Sequence, residues 1–454
     1  MKLYEKYKLS SKRWNCFSQI DVSGSFDFYT SIISLDCLKL DDFDDLAKKT
    51  IRSRERNGSM PLDFFAYEAA AKIMPLAIHE YTHFIDSTST TWGLKHLSRM
   101  NDAYLSDDRR FGGTEKEFHF AKKFFDEVRM FRLPEYYTVV EKNVNPELPW
   151  KQALTVGFQF GRDGVISDRP IIFARFNKVN GTPIARSPLS IISILEASAM
   201  FQEINAMFGL INQLKEDEKI VERNRYTREI LEIVYNPKLT EYTACAHVVA
   251  NTFNCKDIFV AYRICATISR LILNVSDEIY KKIKITSNIG EKIGLPKGSE
   301  KTIEILNTGL KQFNPGVLFY LLTLLMPKNS ASSAGDLKSG IDAALEMLGT
   351  SRDEIRNEAN SEADALSSKL SNSKIDGIRT LSFAGRANFK SIDLFSPSLE
   401  FPVLALPPVL LSDSTSKTIF PTPENNLRDL DLDALYDDLI NGQIWVERFA
   451  EACM

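Results

Sequence analysis

The chain has no hydrophobic run of membrane-spanning length, no paired-cysteine pattern and very little histidine. The longest apolar run, residues 316–326 (GVLFYLLTLLM), is bounded by Pro315 and Pro327. It falls far short of the roughly 20 residues needed to cross a bilayer, so it reads as a buried helix. The opening residues, MKLYEKYKLSSKRWNC, lack the continuous apolar segment of a signal peptide. Six cysteines (Cys16, Cys37, Cys245, Cys255, Cys265 and Cys453) are scattered without a C-x-x-C pair. That excludes a dense disulfide framework and a cysteine metal motif, and it fits reduced thiols in the cytoplasm. No period of 20–50 residues repeats, which removes solenoids and propellers. Neither a phosphate-cradling glycine loop nor a G-x-S-x-G nucleophile signature is present. Charge is nearly balanced, 56 basic against 60 acidic residues for a net −4. Short basic clusters such as residues 52–56 (RSRER) sit among acids and read as solvated surface. The sequence therefore predicts no nucleic-acid partner and no membrane partner.

What is present is an ordinary globular composition, 44% hydrophobic and 26% charged. At this length two or three packed units are expected. Residues 1–100 form a first lobe, with a strand over 22–33 (VSGSFDFYTSII) and a helix that restarts at Pro75 and ends in the Ser/Thr run 87–91. Residues 101–185 hold a helix over 115–131 and then a β-like stretch, QALTVGFQF and PIIFARF, with a turn at Asn180-Gly181. Residues 186–375 form a helical lobe, opened by Ser187-Pro188-Leu189-Ser190 as a helix start. Its first helix, 188–214, is apolar nearly all round and should be buried. A later helix, 258–275, carries Arg263, Thr267, Arg270 and Asn274 on one stripe, read as a wet edge. Residues 376–454 read as extended and proline-broken, ending in helix over 428–449. The fold class is α+β, mostly helical.

Two of the five histidines fall in one short stretch, IHEYTHFID, residues 78–86. On a helix, positions i and i+4 share a face, so His79 and His83 can point two imidazole nitrogens at one ion. Glu80 sits beside them. A zinc ion held by three protein groups lowers the pKa of water towards ~7, and a neighbouring carboxylate can take the proton. In this composition, chance gives His-Glu-x-x-His in on the order of a few chains per thousand. Leu76, Ala77, Ile78, Tyr81, Thr82, Phe84 and Ile85 around it are uncharged, unlike a solvated helix face.

HEYTH in this setting resembles the active-site helix of the zincin metallopeptidases. The resemblance implies a zincin-like core, Zn2+ as cofactor, His79 and His83 as ligands and Glu80 as general base. The metzincin extension is missing, since Ser89 and Asp86 stand where its third His and its Gly would fall. The gluzincin branch takes its third ligand from a Glu on a later helix. Glu196, Ala199, Glu203 and Ala206 lie on one face of the buried helix. Two carboxylates there are costly without compensation. Glu196, in LEASA, is the first candidate for the third metal ligand and Glu203, in QEINA, the second. Gluzincins often place an acid four residues after the ligand Glu; here that residue is Met200. Glu203 or Asp86 can instead orient a ligand histidine.

Among other residues, His247 reads as a hydrogen-bonded core histidine, with Tyr242 similar. His96 and His119 read as surface or structural, His96 being an outside candidate for zinc. The sequence thus predicts a zinc metallopeptidase acting on a protein or peptide, with strand 170–176 offered as an edge for an extended substrate. The rivals are a non-catalytic zinc-binding regulatory or interaction protein, a metal-dependent hydrolase of another bond, and a structural protein with a chance motif.

Overall fold

The computed structural model describes residues 2–11, 23–57, 61–112, 114–131, 133–142, 148–161 and 164–453. Cys16, Val22 and the turn residues Arg162 and Asp163 lie outside the described residues. The first helices are α1 (Leu3–Ser11), α2 (Leu40–Asn57), α3 (Phe64–Thr88), α4 (Thr91–Leu105), α5 (Asp108–Phe111) and α6 (His119–Arg129). After a β-rich stretch come α7 (Ile191–Ile211), α8 (Glu216–Val234), α9 (Thr240–Phe253) and α10 (Ile258–Ile272). The chain continues through α11 (Asp277–Lys282), α12 (Ser287–Lys292), α13 (Glu300–Lys311) and α14 (Pro315–Leu325). It ends with α15 (Ala334–Met347), α16 (Arg352–Leu370), α17 (Asp376–Ser391) and α18 (Leu432–Ala452). The molecule is α+β and mostly helical, with two small sheets. Its main buried cluster draws residues from Leu3 to Ala450.

The first sheet has the order β1 (Ser25–Phe26), β2 (Ile33–Leu35), β7 (Val409–Leu411), β8 (Ser416–Lys417). The single strand expected over 22–33 is a hairpin. Asp27 breaks it: its carboxylate accepts hydrogen bonds from the Tyr29 N–H and the Thr30 hydroxyl, both at 2.9 Å. An Asx turn of this kind competes with the strand ladder. β2 and β7 pair in parallel, Ser34 opposite Leu410.

The second sheet has the order β3 (Val139–Val140), β6 (Pro183–Pro188), β5 (Ile166–Asn177), β4 (Lys151–Phe160), antiparallel throughout. Its β5–β6 turn falls at Asn180-Gly181 as expected, with Gly181 at φ +90°, a conformation glycine adopts without penalty. Residues 170–176 belong to β5, an internal strand of the sheet: all of them pair with β4, and 173–176 pair with β6 as well. At 173–176 no edge is free, and beyond them the Ile172 and Pro170 carbonyls are taken by the Leu189 N–H and the Asn314 amide, which argues against this segment as the docking strand for a substrate.

α3 starts at Asp63, whose side chain accepts from the Phe65 N–H. It does not restart at Pro75; the helix runs through the proline. An interior proline costs about 3 kcal/mol, having no N–H and crowding the preceding turn. Here every residue from Ala77 to Thr88 is buried, packed against α7, α2 and the first sheet, and that burial outweighs the local cost. The helix ends in the Ser/Thr run as expected. Thr90 then caps α4 by accepting from the Gly93 N–H at 3.0 Å. A Cβ on Gly93 would lie 2.5 Å from the Ser87 carbonyl carbon, so only glycine lets α4 fold back so closely.

α7 begins with a reciprocal cap. The Ser190 N–H donates to Ser193 Oγ at 2.8 Å, and the Ser193 N–H donates to Ser190 Oγ at 3.3 Å. As expected, its first half is wholly buried, from Ile191 to Gln202, and the apolar run in α14 is buried apart from Leu324, which is half-buried. Two expectations fail. The stripe on α10 is not a wet edge: Thr267, Arg270 and Asn274 are buried. Residues 376–391 are not extended but form α17. Its glycines, Gly377 and Gly385, dilute the apolar pattern because they are places of close packing.

Candidate metal centre

α3 and α7 pack against each other along their buried faces. That contact turns His79 and His83 towards Glu196. His79 Nε2 lies 3.1 Å from His83 Nε2 and 3.3 Å from Glu196 Oε2. His83 Nε2 lies 3.5 Å from Glu196 Oε1. Ligands at roughly 2.0–2.1 Å from a tetrahedral metal stand about 3.3 Å apart; here one ligand atom from each side chain lies within 4.8 Å of the others, the two histidines meeting different oxygens of Glu196. Among the described residues this is the one group of three metal-ligating side chains that converges. The donor set fits zinc chemically: two imidazole nitrogens and one carboxylate. Glu196 Oε1 is also buried without a hydrogen-bond donor, a position a cation satisfies.

Glu203 does not join the three. It lies two turns along α7 and meets the other face of the His79 ring, with Nδ1 2.8 Å from Glu203 Oε2. A carboxylate there fixes the proton on Nδ1 and leaves the Nε2 lone pair facing Glu196 and His83. Of the two acids considered for orienting a ligand histidine, Glu203 is the one that meets His79. Asp86, the other acid considered for that work, faces Arg270 of α10, with Nη1 to Oδ1 at 3.1 Å and both residues fully buried.

The centre is nearly closed: His83 is 0%, Glu80 1%, Glu196 2% and His79 7% exposed. Burial alone raises the Glu196 carboxyl, but the His83 and His79 imidazoles outweigh it and hold the group below the usual carboxylate range. Burial likewise opposes a charge on His79, yet Glu196 and Glu203 raise its pKa well above the ordinary value.

Glu80 stands apart from the ligand group, on the side of α3 facing the first hairpin. A Cβ on Gly24 would come 3.0 Å from Glu80 Oε1, so glycine makes room for the carboxylate. Sequence reasoning missed Tyr262 on α10. It is fully buried, its hydroxyl has no hydrogen-bond partner, and its pKa is pushed up by burial first, then by Cys265, Glu203 and Glu196. No local signal marks it, because an apolar helix carries many buried tyrosines.

The remaining candidates lie elsewhere. His96 is buried and hydrogen-bonds the Phe28 carbonyl at 2.9 Å, which makes it structural and not a ligand. His247 hydrogen-bonds the Val234 carbonyl at 2.8 Å and stacks on Trp150, as a core histidine should. His119 is exposed and lies against the Lys116 carbonyl. Tyr242 is buried on α9. The described cysteines are free thiols. Cavities of about 720 Å³ beside α16 and α17 and about 330 Å³ beside α8 and α9 are lined by none of the candidate metal-site residues. No helix of the described residues is long and apolar enough to cross a membrane. The chain matches no known protein family, no curated protein and no solved structure.

Proposed function

We propose that the protein is a zinc-dependent metallopeptidase with a zincin-like core, hydrolysing peptide bonds of an intracellular protein target. The observation that carries this reading is the convergence of His79, His83 and Glu196 within reach of one ion, with Glu80 on the same helix. Zinc held there would supply Lewis acidity, polarising a peptide carbonyl and lowering the pKa of water towards ~7. Glu80 takes the proton of the attacking water and delivers it to the leaving amine. Glu203 keeps His79 in the tautomer that presents Nε2. The apolar walls of α3 and α7 exclude bulk water and strengthen each of these interactions.

The closure of the site favours a second reading, a zinc-binding regulatory or interaction protein without turnover. A polypeptide cannot touch side chains buried this far unless neighbouring chain moves aside. Glu80 opposes that reading, because holding a metal does not need it.

The test compares zinc-loaded wild type with Glu80→Gln on a peptide library, with zinc content measured on both. The peptidase reading expects one zinc per chain in each and cleavage by wild type alone, with the variant slower by about 10²–10⁴-fold. Zinc in both without cleavage by either would establish the second reading. Folded wild type that takes up no zinc would end both.

A further inference from the structure

The cavity of about 720 Å³ opens between α16, α17 and residues 426–427 ahead of α18. That is room for a small molecule. Among the described residues it shares none with the metal centre, and no acid lines it. Arg379, Phe383 and Arg386 line it from α17, four and then three residues apart and so on one face of the helix. Ser367 and Ser371 line it from the end of α16, and Asn426 from the segment before α18.

The two arginines are engaged to different degrees. Arg379 donates Nη1 to the Ser373 carbonyl at 2.7 Å and Nη2 to Asp376 at 2.6 Å. Arg386 donates Nη2 to Asp364 and lies over the Phe389 ring, 5.1 Å from its centroid. Its Nε and Nη1 are buried with no acceptor. The Asp364 side chain is 66% exposed, so water screens much of its charge. The Ser367 hydroxyl, on the same cavity, is also buried without a partner. A buried donor left unpaired is costly, more so when it is charged.

The acceptors nearby are already taken. The Ser367 carbonyl accepts from the Ser371 N–H at 2.9 Å, and the Leu370 carbonyl from the Ser373 N–H at 3.0 Å. The Ser368 carbonyl accepts from the Ser371 hydroxyl at 2.9 Å and the Asn372 amide at 3.1 Å. What the cavity offers is donors, and their complement is an anion. A cation would meet no acid there, and an apolar molecule would leave the Arg386 donors unpaired. Phe383 lines the cavity yet is 71% exposed, more than any other large apolar side chain among the described residues. A flat ring laid on it would cover that surface.

We propose that this cavity binds a small phosphorylated molecule that carries a flat ring. Arg386 and Arg379 hold the phosphate, Ser367 and Asn426 add hydrogen bonds, and Phe383 packs on the ring. A phosphate suits two arginines better than a carboxylate does, because it presents three acceptor oxygens and nearly two negative charges. The site is independent of the metal centre and stands whether or not that centre holds zinc.

The test follows binding of phenyl phosphate to the full chain by ligand-observed NMR, with inorganic phosphate and benzoate as companion probes. It uses wild type, Arg386→Gln and Phe383→Ser, with folding checked by circular dichroism. Wild type should bind phenyl phosphate with a Kd of about 1 mM or tighter. Arg386→Gln should bind it about 10–100-fold more weakly. Phe383→Ser, which removes an exposed ring, should weaken phenyl phosphate about 3–10-fold and leave inorganic phosphate unchanged. If Arg386→Gln does not fold, Arg379→Gln should weaken both phosphates by about 3–10-fold. Wild type that binds no phenyl phosphate at about 10 mM would overturn the proposal. So would undiminished binding by a folded arginine variant, which would put the phosphate elsewhere, the metal centre included. Benzoate bound as tightly as phenyl phosphate would overturn the assignment to a phosphate.

Discussion

Phe28, Trp92, Phe124 and Phe131 close around the His96 ring. Burial pushes its pKa down to about 4, against a pull upward from the Phe28 carbonyl. The unfolded chain therefore binds the proton that the folded one refuses between the ordinary value near 6.5 and about 4. The stability this neutral ring supplies is complete above pH 6.5 and is lost as pH falls towards 4. Between pH 7 and 4.5 the loss from this one site should be about 2–3 kcal/mol. Urea unfolding of wild type and His96→Gln at both pH values checks it: the variant should lose less on acidification, and equal losses would free His96 of the effect. At this scale the cluster of His79, His83 and Glu196 was largely legible. His79, Glu80 and His83 are set by spacing within one helix turn, and Glu196 stands out as a carboxylate among apolar residues. Arg270 was visible but misread, because polar residues at spacings of three and four look the same on a wet edge and on an internal seam. Only the three-dimensional partner, Asp86, distinguishes them.

Between elements, the contacts that set the helices in place depend on small residues more than on large ones. A Cβ on Gly385 of α17 would come 2.1 Å from the Thr88 carbonyl oxygen at the end of α3. Backbone cannot yield as a side chain can, so Gly385→Ala should push α17 off α3. The expected destabilisation is at least the roughly 1–3 kcal/mol of ordinary overpacking. Thermal unfolding measures it; a melting temperature within a degree of wild type would show that the two helices are not in the contact described. The same glycines hid α17 from the sequence, since a helix with two glycines reads as weak. Pro75 misled in the other direction: a residue that ends most helices was overruled by burial on both sides of it. The second sheet was easier, because alternation over QALTVGFQF and PIIFARF and the Asn180-Gly181 turn are local signals. Which strand lies at its edge is not local, and β5 proved internal.

Across the whole molecule, the two ends of the chain are bound to each other. β2 pairs with β7, the Ser412 N–H donates to the Leu38 carbonyl at 3.0 Å, and the Leu40 N–H donates to Asp413 Oδ2 at 3.0 Å. α18 lies on α4 and α6, with Gly442 close against the Tyr104 ring. A chain cut after residue 395 loses β7, β8 and α18 together and leaves the floor of α3 open. Such a chain should show no cooperative unfolding transition by circular dichroism, and one that unfolds as sharply as the full protein would contradict this account. No pattern in residues 1–100 announces that their sheet is completed from residues 409–417. The parallel pairing also has a consequence in time. Leu411 is made 376 residues after Leu35, which at 5–20 residues per second is roughly 20–75 s of synthesis. Helix α3 spends that interval against a sheet that has β1 and β2 but not yet β7 or β8, so the first sheet is completed long after its first two strands are made.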